Sequence, residues 1–330
     1  MGQIRHKTIN QNLNTELSII CDLNKSSDIP KGSYEIVEDW KEIISAEIDA
    51  VFICTPNHLI PKLVSSFLDN GKHVFAEKPP GRNLSDILRM REYEKKNPDR
   101  KLMFGFNHRY HPGIMKAKSI IDSRQFGNVV ALRGLYGKSG GVNFKDSWRN
   151  EYSISGGGIL LDQGIHMLDL FNLFIGSFSS AKAFLSNDHW NLDVEDNAMV
   201  IFRNEKNQLA SLHSSATFWK HTFELNVILE NGYLKHEGLL SKSGSYGREK
   251  LTIGNRQFED ESDAVGNPSE EIIYFDKDLS WEIELEKFTN YILNDLEVDE
   301  SNSNDALNAM DLVNKCYLNS GFDLYKQGGD

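Results

Sequence analysis

The sequence predicts an α/β protein in two parts. The first is a doubly wound parallel sheet over residues 1–125. The second is an α+β domain over 126–330 with a large, mostly antiparallel open sheet. Three observations predict this. Short apolar runs alternate with amphipathic helical patterns through the first 110 residues, the rhythm of parallel strands joined by crossover helices. After about residue 125 the rhythm changes to clustered strands, one pair joined by Asn231-Gly232, a strong hairpin signal. Finally, 330 residues at about 150 per domain suggest two domains.

The first strand candidate is Glu16–Asp22, a near-continuous apolar run of the kind buried on both faces. A shorter one lies at Tyr34–Val37. Ile48–Thr55 is the next, stopped by Pro56. Lys72–Glu77 follows, stopped by Pro79-Pro80, and then Lys101–Phe106. Helices fill the gaps. Asp39 can cap Trp40–Ala46. Asn57–Asn70 carries a stripe of Leu59, Leu63, Val64, Phe67 and Leu68, with Gly71 where a C′ glycine belongs. Asn83–Lys96 is a third helix, with Leu84, Ile87, Leu88 and Met90 as its stripe.

In the second part Asn128–Tyr136 is a strand, followed by the Gly-rich stretch 137–141. One long helix spans Gly158–Phe174. Strands follow at Ala181–Leu185, Ala198–Arg203, Gln208–Thr217, Phe223–Leu229 and Tyr233–His236. Two helices close the chain, at Trp281–Leu296 and Asp305–Tyr325, with a solvated acidic loop at Asn294–Asp305 between them.

Composition narrows the function. Lys plus Arg is 36 and Asp plus Glu is 48, a net charge of −12. That field favours neither nucleic acid nor an anionic membrane as a partner. No apolar run approaches the roughly 18 residues that span a bilayer. The N-terminus, Met1-Gly2-Gln3-Ile4-Arg5-His6, has no signal-peptide pattern. The three cysteines, Cys21, Cys54 and Cys316, exclude a disulfide framework and a CxxC zinc site. The expectation is a reduced, cytoplasmic protein without a metal.

A doubly wound sheet binds ligands at the carboxyl ends of its strands. Asp22, Thr55-Pro56-Asn57 and Glu77-Lys78-Pro79-Pro80 all fall there. A carboxylate at Asp22 can accept both ribose hydroxyls of an adenosine and would repel a 2′-phosphate, so it suits NAD over NADP; by itself such a residue is more often a turn or cap residue. Lys78, held beside two prolines, can act on a substrate oxygen or be a solvent-facing turn lysine.

The densest pattern is Ser155–Asp169. Asp162 and His166, at i and i+4, share one helix face. The glycines that open the helix would let a flat ligand approach its backbone. A histidine one turn from a carboxylate has a fixed tautomer and a tuned pKa, as a general base requires. A purely structural Asp–His contact gives the same pattern.

Glu77-Lys78-Pro79 ending a strand, followed about 85 residues on by Gly157-Gly158-Ile159-Leu160-Leu161-Asp162-Gln163-Gly164-Ile165-His166-Met167-Leu168-Asp169, resembles the glucose–fructose oxidoreductase, inositol dehydrogenase and related (Gfo/Idh/MocA) family. Thr55-Pro56-Asn57, Gly105-Phe106-Asn107-His108-Arg109-Tyr110 and Trp148-Arg149 match further family motifs in the right order. The resemblance implies an N-terminal Rossmann-like NAD domain and a C-terminal domain whose open sheet makes a homo-oligomer, a dimer or tetramer. It implies catalytic Lys78, Asp162 and His166, with Lys78 and His166 meeting across an interdomain cleft. Gly2, Gln3, Ile4, Asp22, Thr55, Pro56, Asn57, Glu77 and Lys78 would contact the cofactor. Asn107, Tyr136, Trp148 and Arg149 would line the substrate. The implied reaction is hydride transfer between nicotinamide and a hydroxyl-bearing carbon of a sugar, cyclitol or sugar derivative, conceivably nucleotide-linked. The alternatives are an NAD-dependent glycoside hydrolase of the same fold, or a binding or inactive protein.

Two positions depart from the family pattern. Ile60 stands where a histidine is usual, with His58 two positions early. The family also opens with a strand and G-x-G-x-x-G, whereas here Gly2 matches the third glycine, with Asp22 at 22 − 2 = 20 positions beyond it, the expected spacing to the ribose acid. The missing strand is normally central, between those at 16–22 and 48–55, so its neighbours should lose a ladder partner. A mis-assigned start codon or a truncated gene would account for it.

Overall fold

In the computed structural model, the described residues are 1–23, 29–141, 143–257 and 269–322. They form two compact units, Met1–Asn107 with Ser280–Leu307, and His108–Leu279 with Asn308–Asp330. The first break therefore falls at 107/108 rather than at 125/126. Helix Pro112–Ser123, not anticipated from sequence, belongs to the second unit, and residues 280–307 return to the first.

The first unit carries five short parallel strands: β1 (Ile19–Cys21), β2 (Glu35–Val37), β3 (Ala50–Ile53), β4 (His73–Ala76) and β5 (Leu102–Phe104). They lie in two separate sheets, β1-β2 and β3-β4-β5. β4, hydrogen-bonded to a strand on each side, is buried throughout, whereas β1 is half-exposed along its length. Helix Ile60–Asp69 buries Leu63, Val64, Phe67 and Leu68 as the stripe predicts, and Gly71 takes φ +73°, the left-handed value its position demands. Asn83 caps Leu84–Lys96 by accepting from the Asp86 N–H. Phe52 stacks on Phe75 at 5.0 Å, and Phe288 of helix Ser280–Leu293 meets both edge-on. Part of the acidic segment expected to be solvated is buried: the Ser301 carbonyl accepts from Phe104 N.

Among its described residues the second unit builds one eight-stranded sheet. In chain order its strands are β6 (Val129–Gly137), β7 (Ser180–Ser186), β8 (Asn197–Arg203), β9 (Leu209–Ser215), β10 (Thr222–Leu229), β11 (Gly232–Glu237), β12 (Glu249–Asn255) and β13 (Glu270–Phe275). Their spatial order is β13-β12-β11-β10-β6-β9-β8-β7, antiparallel except for β6 against β9. Strands β12 and β13 were not anticipated. Inward residues pack under helix Ile165–Ile175; a Cβ on Gly134 would meet Met167 and Phe171. Outward residues leave Phe184 82% exposed and Met199 and Ile201 each 57% exposed.

The helix expected at 158–174 is not a plain α-helix. A turn at Tyr152–Ser155 leads to a π-helical segment, Leu160–Gly164, and then to the α-helix Ile165–Ile175. The whole stretch Tyr152–Ile175 has the length and hydropathy to cross a membrane, contrary to the sequence expectation, but 72% of its most apolar window is buried against the protein, as in a core helix. The last helix runs Ser303–Ser320; Gly321 and Phe322, expected to continue it, are not helical, Gly321 taking φ +69°, and residues 323–325 lie outside the described residues.

Candidate functional site

In the first unit the strand ends carry the expected groups. Helix Gly2–Gln11 begins at the predicted glycine, and Gly2, Gln3 and Ile4 form its first turn. Asp22 follows β1, its backbone N–H bonded to the Val37 carbonyl. Asp22, Asp39 and Glu42 all act on the Cys21 thiol, whose pKa is raised first by burial and then by these carboxylates. The β1–β2 end is thus locally acidic. Thr55-Pro56-Asn57 turns the chain from β3 into the next helix, with Ile60 N bonded to the Asn57 carbonyl. Thr55 Oγ1 is buried with no hydrogen-bond partner, and so is His58 Nδ1. Ile60, where the family pattern has histidine, is fully buried in the core.

Glu77, expected to touch the cofactor, is engaged by the protein. Arg5 Nε donates to it at 2.7 Å, and Arg5 Nη2 donates to Glu284 at 2.6 Å, all three groups buried. The guanidinium lies 4.3 Å from the Phe75 ring centroid and 4.8 Å from that of Trp281. Burial works against the Arg5 charge, yet Glu77 and Glu284 hold its pKa above the ordinary value. Gly105 is required here, because its Cβ would come within 2.9 Å of Glu77 Oε2. Lys78 follows, half-buried, and the Lys78–Pro79 bond is cis. Asn107 is buried, and its amide donates to Ser280 Oγ at 3.2 Å.

In the second unit Tyr136, Arg149, Asp162 and His166 come together. The Asp162 carboxylate accepts from Lys138 Nζ at 2.9 Å and from Gln163 Nε2 at 3.0 Å, and pairs with Arg149 at 3.3 Å. Trp148 lies under the Arg149 guanidinium, 4.4 Å from its ring centroid. The π-helical segment carries Asp162, and His166 follows in the first turn of the α-helix Ile165–Ile175. Lys138, just past the end of β6, and Arg149 in the turn Trp148–Asn150 hold Asp162, while the His166 ring stacks on His108 at 3.6 Å and 13°. His108 Nε2 lies 2.9 Å from Tyr136 Oη. Burial, then Tyr246 and Asp162, push the Tyr136 phenol well above its ordinary pKa, so it stays protonated.

The glycines of the motif admit close approach by the protein itself. A Cβ on Gly157 would strike Tyr317 Oη at 2.1 Å, and one on Gly158 would strike the Glu195 carbonyl at 2.0 Å. Glu195 accepts from Gly158 N at 2.9 Å, Leu160 N at 3.0 Å and Tyr317 Oη at 3.1 Å, clamping the start of the π-helical segment. Burial pushes its pKa up to about 7, against those hydrogen bonds. Asp169, the last residue of the motif, makes a two-pronged pair with Arg109, which accounts for two further motif positions. Lys138, Glu195, His108 and Tyr246 were not singled out from sequence. Only His108 carried a signal, its place in the Gly105–Tyr110 motif.

Comparison with known proteins accords with both units. Residues 1–106 match a family model described as an oxidoreductase family with an NAD-binding Rossmann fold, and residues 114–235 match the GFO/IDH/MocA C-terminal domain. A levoglucosan dehydrogenase of Pseudarthrobacter phenanthrenivorans is 35% identical over 153 residues, 45% of this chain and 38% of that protein. A myo-inositol 2-dehydrogenase of Thermotoga maritima is 28% identical over 192 residues, 56% of this chain and 53% of that protein. The chain thus matches about half or less of the length of these curated relatives. In overall fold it is similar to a levoglucosan dehydrogenase solved with NADH and levoglucosan, with a TM-score of 0.79 and 19% identity, covering 96% of this chain and 92% of that one. Together the two matched regions and the motif residues show that this chain belongs to the Gfo/Idh/MocA oxidoreductase family.

Proposed function

We propose that this protein is an NAD-dependent oxidoreductase acting on a hydroxyl-bearing carbon of a sugar, cyclitol or sugar derivative. The observation that carries the reading is the buried His166 ring, stacked on His108, in the same motif as a carboxylate, Asp162, that Lys138 and Arg149 hold in place. The first unit is the dinucleotide domain and the second the substrate domain. NAD fits the first unit: Thr55 Oγ1 is a buried polar atom without a protein partner at a strand end, and the acidic β1–β2 end disfavours a 2′-phosphate. Gly2, Gln3 and Ile4 would offer first-turn N–H groups to the pyrophosphate. Asp22 would take the ribose hydroxyls, and Thr55, Pro56, Asn57 and Lys78 would line the rest. Bound NAD would supply the acceptor for the hydride leaving the carbinol carbon.

The protein's own part is proton and charge management. His166, neutral, accepts the hydroxyl proton as the C–H bond breaks. Lys78 stabilises the developing alkoxide by its charge. Asp162 orients the substrate hydroxyls or the His166 ring. Tyr136, Trp148 and Arg149 line the substrate. Asn107, bonded to Ser280, acts as a positioning residue. A nucleotide-linked sugar is one candidate within this class; a 3-ketoreductase of similar fold is known with NADP and a TDP compound. Free thiols at Cys21, Cys54 and Cys316 accord with a reducing, cytoplasmic setting. The net charge of −12 supports a small-molecule partner rather than nucleic acid or an anionic membrane.

Steady-state NAD reduction with a panel of cyclitols and pyranoses tests the reading. His166→Ala should lower turnover by roughly 10²–10⁴-fold, with NAD affinity by calorimetry unchanged. Asp22→Ala should narrow the preference for NAD over NADP by roughly tenfold, about 1.4 kcal/mol. Near-wild-type turnover in His166→Ala removes it as the base, and a wild type favouring NADP removes the role given to Asp22. Glycoside cleavage without net NAD reduction would instead favour the hydrolase.

The open face of the eight-stranded sheet is proposed to form a dimer or tetramer. Phe184, Met199 and Ile201 give it an apolar patch near the β7 edge. Phe184→Asp should shift sedimentation velocity toward the monomer, and a wild type that already sediments as a monomer ends the idea.

A further inference from the structure

We propose that His108 is a positioning residue for His166: stacked face to face on it, His108 fixes the plane of the His166 ring and limits the two imidazoles to one shared proton across the neutral range. The proposal rests on the reading of His166 as the proton acceptor. The rings lie 3.6 Å apart between centroids and only 13° from parallel. Both residues are buried, at 5% and 3% exposure, so water cannot screen a second charge.

The stack is fixed from several sides. His108 Nε2 lies 2.9 Å from Tyr136 Oη on β6. Phe223 of β10 packs edge-on at 5.7 Å, and His111 packs across its ring at 5.4 Å. Carboxylates of this unit also pair with other cations. Asp162 carries Lys138 and Arg149, and Asp169 carries Arg109. Glu249 takes both His111, at 3.1 Å, and His236, at 3.0 Å. The phenols Tyr136 and Tyr246 remain protonated and neutral. A second proton on the stacked pair therefore meets the first at 3.6 Å. Two unit charges so placed separate the two protonation steps by about 1–3 pH units, depending on the effective dielectric. The pair then titrates as a unit. The practical effect is that one proton, the one taken from the substrate, is the most the pair holds near neutral pH.

Histidine NMR on the ¹³C-labelled full chain tests this without turnover. In the wild type, the His108 and His166 ring signals should each inflect at the same two pH values. His108→Phe keeps a flat ring but removes the second proton site, so His166 should then titrate in one step, between the two wild-type values. A single His166 step with the same midpoint in both proteins overturns the proposal. If His108→Phe does not fold, His108→Gln, which can still bond Tyr136, is judged by the same criterion. It should also lower kcat by roughly tenfold through loss of ring positioning, with KM for NAD unchanged; an unchanged kcat overturns the positioning role. Failure of the base assignment reads out separately, as an active His166→Ala protein, and leaves the titration result standing.

Discussion

The two units bury a carboxylate in opposite ways. In the first, Glu77 and Glu284 flank Arg5, and three charged groups share one apolar setting with Phe75 and Trp281. In the second, Glu195 is buried just as deeply but faces two backbone N–H groups and a phenol. The first arrangement matches charge with charge, and removing any member strands another in a low-dielectric site. The second meets a potential charge with dipoles alone, so the cheaper response is to keep the proton. The chemistry of each site follows. At the end of β4, the Arg5–Glu77 pair makes a rigid ionised base for the Lys78 strand end. At the π-helical segment, Glu195 makes a clamp whose charge depends on pH near neutrality.

The largest effect should come from breaking the charge-matched arrangement. Arg5→Ala leaves Glu77 and Glu284 buried without their cation and should destabilise the protein by about 3–5 kcal/mol, read by urea unfolding at neutral pH. Because the loss comes from stranded charge, Arg5→Ala combined with Glu77→Gln should recover part of it. A single substitution costing less than about 1 kcal/mol, within the ordinary surface range, would show that solvent reaches these carboxylates and that the first unit does not differ from the second in the way described.

This contrast also shows what could be read in advance. The strands of the first unit were legible because β3, β4 and β5 are continuous apolar runs bounded by Pro or Gly. Helix Gly2–Gln11 was not, since it has no apolar stripe and its deepest side chain is Arg5. Strands β12 and β13 lie at the outer end of their sheet and read as charged: β13 begins Glu270-Glu271 and is mostly exposed. Lys78, Asp162 and His166 stand in motifs with fixed local spacing. Their partners do not. Lys138 reaches Asp162 from 24 positions away, and Glu195 reaches Gly158 from 37. Such pairings are made by the sheet and the packing of the π-helical segment on it, and no local pattern announces them. The glycines at 157 and 158 signal close approach, but that Tyr317 and Glu195 approach them is not legible locally.

A smaller effect, and one of opposite sign in pH, should come from Glu195. Its folded pKa of about 7 lies above the ordinary 4.5, chiefly because burial penalises the carboxylate. Between those values the folded protein holds a proton that the unfolded chain has released. Stability from this group is therefore fully present below about pH 4.5, and is lost as pH rises through about 7. The shift corresponds to roughly 3 kcal/mol at most. Glu195→Gln cannot ionise, so the fall in stability between pH 4.5 and 7 seen by urea unfolding in the wild type should flatten by about that amount. An overall offset is expected as well, because one face of the amide cannot accept from Gly158 N; the slope, not the offset, carries the test. The clamp also bears on the site, since Gly158 and Leu160 begin the segment that presents Asp162 and His166. A wild-type slope that survives Glu195→Gln unchanged would place the titrating group elsewhere and leave Glu195 an ionised carboxylate held by dipoles alone.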